Sequence, residues 1–385
     1  MAEAKRKLFE EVADKSGRPA PQGGLIARQG QGARRAIRLW LMLIFAMIAA
    51  MVLVGGLTRL TGSGLSITQW KPISGALPPL SLSAWQQAFD LYKHSPQYRI
   101  ENEGMTLAQF KFIYWWEWSH RQLGRSIGFV WAIGFFGFWA AGKIPQGWKR
   151  RLFLLGALGG LQGAIGWWMV SSGLQGDMTA VASYRLATHL GLAFFILGLT
   201  AWFILQMSRP EAQLLQARRQ GEPKLFGLAT GVMHLLFLQV LLGALVAGID
   251  AGRNYPTWPL MNGSFFPADA FLVPGGGATW RAFFENPGLV QFIHRCTAYL
   301  LVAFGLFATL RARRSAHGST RAAFLAMGAM LLIQMTLGIL TAVNAAPLDI
   351  AITHQAGAIL LWALVIRARH MARYPIVGSI RKGTV

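Results

Sequence analysis

Residues 225–249 read LFGLATGVMHLLFLQVLLGALVAGI, a run of 25 residues without a single Asp, Glu, Lys or Arg. About 20 mainly apolar residues suffice for a helix to cross the hydrocarbon core of a bilayer, so this stretch predicts a membrane-spanning helix. Seven further runs lack charged residues, and they occupy 39–58, 126–142, 152–176, 186–208, 296–310, 322–348 and 350–366. The runs at 126, 296 and 350 are short, and we expect these helices to extend at their N-terminal ends.

The composition of the 385-residue chain agrees with a membrane protein of eight spans. Apolar residues make up 54% of the chain and charged residues only 14%, whereas soluble domains carry about 25% charged residues. The single cysteine excludes an intramolecular disulfide and a thiolate metal cluster. The sequence therefore predicts an all-α membrane protein with eight transmembrane helices.

A net charge of +22 would suggest nucleic-acid binding if the chain were soluble. With the N-terminus placed in the cytoplasm, however, 26 of the 37 Lys and Arg residues fall in cytoplasmic segments, which carry a net charge of +20 against +2 outside. Membrane proteins collect positive residues on the cytoplasmic side in this way. We therefore expect both termini in the cytoplasm (N-in and C-in), membrane lipid around the spans and no nucleic-acid partner.

An internal repeat divides the eight spans into two halves of four. Residues 55–79 align with residues 243–267 at a constant offset of 188. Further matches pair His120 with His294, Gln162 with Gln334, Gly166 with Gly338 and His189 with His354. Because each half has an even number of spans, both halves have the same orientation. The repeat predicts two pseudo-symmetric four-helix bundles related by an axis along the membrane normal.

Five regions follow from the spans and the repeat. They are a mobile cytoplasmic tail (1–36), a first four-helix bundle (37–208), a cytoplasmic linker (209–224), a second four-helix bundle (225–370) and a cytoplasmic tail (371–385). The first tail is polar and contains several prolines and glycines, which is why we expect it to be mobile.

Four of the eight histidines are related by the repeat, namely His120, His189, His294 and His354. They lie near the outer, N-terminal ends of the even-numbered spans, so the two histidines of each half share one depth. Two such imidazoles can ligate both faces of one iron porphyrin. The pattern therefore predicts a haem site in each bundle. The alternative is a set of interfacial histidines that are hydrogen-bonded to loops.

Arginines accompany these histidines at the outer ends of the spans. Arg121 and Arg295 directly follow a histidine of the set, and Arg125 lies one turn further along the same helix as Arg121. Guanidinium groups form strong paired hydrogen bonds with carboxylates. We expect the three arginines to pair with haem propionates.

One carboxylate distinguishes the two halves. Glu117 precedes His120 by three residues and therefore shares its helix face, whereas the second half has Gln291 at the corresponding place. This difference predicts chemistry in the first bundle and electron transfer in the second. The alternative is a structural ion pair between Glu117 and an arginine such as Arg121.

Three stretches resemble the haem A synthase family, of the type shared by mitochondria and alphaproteobacteria. They are GGLTRLTGSGLS (55–66), WKPISGALPPL (70–80) and FIYWWEWSHRQLGR (112–125), and the resemblance runs from about residue 36 to residue 370. It implies a multi-pass protein of the bacterial inner (plasma) membrane. It also implies oxidation of the ring D methyl group of haem O to a formyl group, through successive hydroxylation, to give haem A for terminal oxidases.

The resemblance further implies the ligands and partners. Haem b is the expected cofactor, with its iron between His294 and His354, while His120 and His189 hold the substrate haem O and Glu117 assists. Haem O synthase and the assembly pathway of a terminal oxidase are the expected partners. Another branch of the family carries a cysteine pair in its first outer loop, and this chain lacks that pair.

Two functions of other classes fit part of the pattern. A non-catalytic di-haem electron carrier explains four histidines, but it does not explain why only one half has the Glu-x-x-His pair. A transporter with parallel repeats would need a broken helix at the bilayer midplane, whereas the polar residues here cluster at the outer ends of the spans.

Overall fold

The computed structural model describes residues 25–273 and 275–376. These residues form α1 (Leu25–Leu60), α2 (Leu82–Lys93), α3 (Pro96–Glu101), α4 (Leu107–Ala140), α5 (Lys149–Ser172), α6 (Ser183–Met207), α7 (Glu211–Arg219), α8 (Pro223–Gly248), α9 (Ala282–Glu285), α10 (Pro287–Ala312), α11 (Gly318–Val343) and α12 (Leu348–Arg373). Within the same residues there is no β-strand, only an isolated bridge between Met261 and Ser264.

Eight helices of the described chain are long and apolar enough to cross a membrane, which confirms the predicted number of spans. They are α1, α4, α5, α6, α8, α10, α11 and α12. The three short runs extend at their N-terminal ends as expected, because α4, α10 and α12 begin at Leu107, Pro287 and Leu348. Large apolar side chains such as Phe129 and Ile133 point away from the protein on these helices, as contact with lipid chains requires.

Local sequence signals fix the N-terminal ends of the helices that carry His120 and His294. The hydroxyl of Thr106 accepts the backbone N–H of Gln109, and the Gln109 side chain accepts the N–H of Thr106, so a complete capping box starts α4. Asn286 caps α10 through the N–H of Leu289, and Pro287 occupies the first turn. Both ends are therefore set by residues outside the apolar runs.

Each half of the chain forms a closed ring of four membrane helices. In the first half, α1 packs on α4, α4 on α5, α5 on α6, and α6 back on α1. The second half has the same order of contacts, in which α8 packs on α10, α10 on α11, α11 on α12, and α12 on α8. The two rings meet along α1, α6, α8 and α12. Two helix rings therefore stand side by side in one polypeptide.

A tryptophan at the centre of the interface shows how tightly the rings are joined. A Cβ built on Gly198 of α6 would lie 2.6 Å from Nε1 of Trp362 on α12, so only glycine permits this approach of the two helices. Phe194 and Phe237 pack against the same indole, with ring centroids 6.2 Å and 5.9 Å away. One apolar core continues through both halves, and it gives their outer ends a fixed relative position.

The region boundaries differ from those expected. Helix α1 begins at Leu25, before residue 37, and the linker 209–224 contains α7 and the start of α8. Helix α12 runs past residue 370 to Arg373. A run without charges marks only the apolar part of a helix, and the helix itself continues into its polar end. The remaining parts of the predicted tails, 1–24 and 377–385, lie outside the described residues.

Candidate functional site

Each of the four repeat-related histidines packs against a glycine of the neighbouring helix. A Cβ built on that glycine would come within 2.9 to 3.2 Å of the imidazole. The pairs are His120 with Gly55, His189 with Gly166, His294 with Gly243, and His354 with Gly338. A side chain at any of the four glycines would push the ring away from the helix. The glycines therefore form a set of four cradles, one beside each imidazole.

The structure places two of the predicted histidines in each ring of helices. His120 and His189 lie on α4 and α6 of the first ring, and His294 and His354 lie on α10 and α12 of the second. All four histidine residues are half-buried. Two imidazoles on two helices of one bundle are a donor set that suits a bis-His haem iron.

A metal ion bound by protein side chains alone would need a larger set of ligands. No group of three or more His, Cys, Asp or Glu side chains able to hold a metal ion occurs in 25–273 or 275–376. A porphyrin, however, supplies four nitrogen ligands itself, so that two histidines complete the coordination of its iron. The residues present thus fit a haem.

Three of the four histidines also contact a glutamine, which the sequence analysis did not identify as part of the site. Nε2 of the glutamine donates to the main-chain oxygen of the histidine at 2.9 to 3.0 Å and lies 3.1 to 3.2 Å from the ring Nδ1. The pairs are Gln162 with His189, Gln239 with His294, and Gln334 with His354. A signal was present in the sequence, because each glutamine lies four residues before a cradle glycine in a Gln-x-x-x-Gly pattern.

Glu117 is buried, and both of its carboxylate oxygens are hydrogen-bonded. Oε2 accepts the hydroxyl of Ser66 at 2.7 Å and the backbone N–H of Ile67 at 2.8 Å. Oε1 accepts NH2 of Arg121 at 2.6 Å and Nε at 3.1 Å. The ion pair that the structural alternative predicted is therefore present. Through these contacts Glu117 fixes the loop between α1 and α2, at residues 66–67, against α4.

Arg121 and Arg125 bind main-chain oxygens of the same loop. Arg121 donates to the carbonyls of Ile67 and Gln69 at 2.7 and 3.1 Å, and Arg125 donates to those of Lys71 and Pro72 at 3.1 and 2.8 Å. Both guanidinium groups were expected to pair with propionates. In the structure they lay the stretch 66–72 along the outer part of α4.

The corresponding place in the second half has no carboxylate. Gln291 is 3% exposed, and neither of its amide atoms has a hydrogen-bond partner within the described residues. Arg295 donates to the carbonyl of Tyr255 at 2.8 Å, and no ion pair in the described part of the chain involves it. A buried, uncompensated guanidinium therefore lies beside His294.

The side chain of Tyr255 ties its own loop to Asp269. Burial raises the pKa of Tyr255 to about 12, and its hydroxyl donates to Asp269. Tyr255 is the repeat counterpart of Ile67, since 188 residues separate them. Both halves thus fasten an outer loop to the arginine that follows the first histidine, but only the first half adds a carboxylate.

Comparisons with known proteins agree with the sequence resemblance. The model of the COX15-CtaA family, described as cytochrome oxidase assembly protein, matches residues 38–366. The chain is 59% identical to a haem A synthase of Cereibacter sphaeroides, with 100% of both chains covered. It is 59% identical to one of Paracoccus denitrificans over 99% of this chain and 100% of the relative. It is 60% identical to one of Ruegeria pomeroyi over 98% of this chain and 99% of the relative.

Proposed function

The chain belongs to the cytochrome oxidase assembly protein family, and from this we propose that it is a haem A synthase that oxidises the ring D methyl group of haem O to a formyl group. The observation that carries the proposal is the full-length similarity to haem A synthases of several bacteria. The two histidine pairs support it, because a haem substrate and a haem cofactor each need axial ligands.

The second half is the proposed site of a resident haem b. His294 and His354 would be its axial ligands, and a glutamine hydrogen-bonds the main chain of each histidine. Arg295 offers a buried positive charge without a carboxylate partner among the described residues, which a propionate would neutralise. When bound, this haem supplies an iron that passes electrons one at a time.

The first half is the proposed site of the substrate. His120 and His189 would hold haem O, with the carboxylate of Glu117 one helical turn from His120. A porphyrin methyl group is not acidic enough for simple base catalysis, so its oxidation requires removal of electrons. With water as the oxygen donor, each of two successive hydroxylations would release two protons and two electrons, and an external electron acceptor would take up the electrons. The resulting gem-diol would lose water to become the aldehyde.

Glu117 can serve this reaction either as a proton acceptor or as a positioning residue. As a proton acceptor it would have to loosen its contact with Arg121, because both of its oxygens are hydrogen-bonded. As a positioning residue it would keep the loop 66–72 closed over the substrate. We propose the first role, and the variant Glu117→Gln described in the Discussion separates the two.

We propose Arg295 as the main partner of a haem propionate. Arg121 already has a carboxylate partner in Glu117, whereas Arg295 has none among the described residues. A propionate at any of the three arginines would compete with main-chain oxygens. We propose that Arg121 and Arg125 bind propionates of haem O when the loop 66–72 moves during substrate entry.

The surroundings of the reaction follow from the chemistry of substrate and product. We place the protein in the inner membrane of a bacterium, where haem O synthase would supply haem O. The assembly of a terminal oxidase would consume haem A.

Conversion of haem O tests the proposed function. Cells that lack their own haem A synthase are given this chain, and their haems are extracted and separated by chromatography. We expect haem A to appear with the wild-type chain and to be absent with His189→Ala. A purified protein that binds two haems but converts no haem O would instead be a di-haem electron carrier, and a protein without haem would be neither.

Removal of a second-half ligand tests the resident haem. We expect His294→Ala and His354→Ala to lose the low-spin haem b spectrum of the purified protein, because one imidazole cannot hold both faces of the iron. His94, which is exposed in the outer loop region, provides the control, and His94→Ala should keep the spectrum. A full, unaltered low-spin spectrum in either second-half variant would show that the haem is bound elsewhere.

A further inference from the structure

One of the four histidines has a different neighbour from the other three. His189, His294 and His354 each contact a glutamine that lies four residues before a cradle glycine. The cradle of His120 is Gly55, and the residue four positions before it is Met51. The repeat offset of 188 places Met51 opposite Gln239, so the two halves differ at one defined position.

The three glutamines share an unused hydrogen-bond acceptor. In Gln162, Gln239 and Gln334 the side-chain oxygen Oε1 is buried and has no partner within the described residues. A histidine that binds a metal through one ring nitrogen keeps an N–H on the other, and that N–H is almost always donated to an acceptor. In the structure the amide nitrogen Nε2 of each glutamine lies beside the ring Nδ1, and a half-turn of the amide would present Oε1 there as the acceptor. With this turn the glutamines would orient three of the four imidazoles.

Met51 cannot do the same for His120. A thioether sulfur is only a weak acceptor and donates no hydrogen bond. The end of the Met51 side chain instead lies against α4, where a Cβ built on Gly124 would be 3.0 Å from its Cε. No side-chain hydrogen bond to the His120 ring occurs in the part of the chain that the structure describes, which leaves the glycine cradle as its described support.

We propose that Met51 makes His120 the exchangeable axial ligand of the first-half haem, while the glutamines make His189, His294 and His354 the firmly held ones. The inference rests on the proposed function, in which haem O must enter and haem A must leave while haem b stays. One weak ligand in the first half allows this exchange without loosening the second half. Met51 is a positioning residue in this scheme.

Haem dissociation measures the effect directly and without turnover. The full-length protein is purified in detergent, its first half is loaded with haem O, and excess apomyoglobin captures each haem that leaves. The spectra of haem O and haem b differ, so both rates come from one sample. We expect haem O to leave the wild-type protein faster than haem b. Partners that orient a metal ligand typically contribute about 10–100-fold to metal affinity.

Two reciprocal variants test the role of position 51 and its repeat counterpart. Met51→Gln should slow haem O dissociation roughly tenfold and leave haem b unchanged, whereas Gln239→Met should speed haem b dissociation roughly tenfold. Met51→Leu is the matched control, because it removes the sulfur but adds no hydrogen-bonding group, and its rates should equal those of the wild type.

Several results would overturn the proposal. They are equal dissociation of the two haems from the wild type, no capture of haem O by the first half, and a Met51→Gln rate equal to that of Met51→Leu. A changed rate in Met51→Leu would also overturn it, because the sulfur itself would then matter. Loss of haem b from Met51→Gln would show that this variant fails to fold. In that case Gln239→Met decides, and a rate of haem b dissociation equal to that of the wild type would overturn the proposal. The proposed function fails separately, if wild-type protein with normal exchange rates converts no haem O.

Discussion

At the scale of single residues, Glu117 and Gln291 occupy the same place in the two halves in opposite surroundings. Glu117 is 2% exposed and accepts hydrogen bonds from two loop groups and one guanidinium, whereas Gln291 is 3% exposed and has no partner in the described residues. Removing one member of a buried ion pair costs about 3–5 kcal/mol, because the other charge remains uncompensated. Glu117→Ala would therefore disturb the fold, and Glu117→Gln is the better probe.

Glu117→Gln should keep the fold and lose the chemistry. The same side chain already stands four residues before an arginine at 291 and 295, so this pair is compatible with the fold. We expect normal haem b between His294 and His354, and roughly 100-fold less haem A, the usual size of a general acid–base contribution. Haem O or a hydroxylated intermediate should accumulate, as analysis of extracted haems would show.

The outcome also separates the two roles of Glu117. Wild-type amounts of haem A would remove the carboxylate from the mechanism. A variant empty of all haem would support a purely structural role, in which Glu117 holds Arg121 and the loop.

A glycine cradle gives a second residue-scale prediction. A Cβ at Gly243 would already lie 3.2 Å from His294, whereas a Cβ at Gly227 of the same helix meets nothing within 4 Å. Gly243→Val should therefore displace the imidazole and weaken or abolish the low-spin haem b spectrum. Gly227→Val is the matched control and should retain it. Equal haem content in the two variants would mean that the cradle does not position the histidine.

At the scale of elements, the outer loop of the first half depends on two arginines. Its stretch 66–72 follows α4 through carbonyl contacts with Arg121 and Arg125, and Trp70 packs against Trp167 of α5 with a centroid distance of 5.1 Å and tilted rings. Beyond it, large apolar side chains such as Ile73 and Leu80 are more than four-fifths exposed. The arginine contacts therefore hold a segment that has little packing of its own.

Arg125→Ala should release this segment without affecting haem b. The variant loses hydrogen bonds to the carbonyls of Lys71 and Pro72, each of which contributes about 0.5–1.5 kcal/mol. We expect a broad-specificity protease to cleave within 61–81 roughly tenfold faster. Arg99→Ala, at an exposed arginine on α3, should behave like the wild type. An unchanged cleavage rate in Arg125→Ala would show that other contacts hold the loop.

The sequence predicts the membrane helices well and the short helices poorly. A run free of charges is a direct consequence of the lipid solvent, so it identifies all eight spans from composition alone. Helix α2 is set by tertiary packing instead, because Trp85, Phe89 and Tyr92 bury themselves against Phe110 of α4. Twelve-residue helices of this kind are marginal without such packing.

Some residues of the candidate site can be predicted from the sequence, and others cannot. The sequence singles out the four histidines because the repeat keeps their residue type, and the structure adds the glycine against which each imidazole packs. Gln239 was missed because its repeat counterpart is Met51, and a search for identical residues passes over a position that differs. The contacts of Arg121 with loop carbonyls could not be predicted, since a guanidinium carries no signal that separates a propionate from a main-chain oxygen.

At the scale of the whole molecule, the charge asymmetry predicts the orientation in the membrane. Segments assigned to the cytoplasm carry a net charge of +20 and those outside +2, and eight spans return the C-terminus to the side of the N-terminus. We expect a fluorescent protein fused after Val385 to be active and an alkaline phosphatase fused there to be inactive. The opposite pair of results would place both termini outside and the four histidines at the cytoplasmic end.

A two-fold axis between the two rings would exchange α1 with α8 and α6 with α12. The contact of α1 with α12 would then correspond to that of α8 with α6; both contacts are present, and the one between α6 and α8 is the more extensive. Two separate copies of a four-helix unit could form such an isologous pair. In that dimer, however, every position would be duplicated, so both sites would carry Glu or both would carry Gln. Joining the two units in one chain removes this constraint. One half can then keep its haem permanently, while the other half exchanges haem O for haem A.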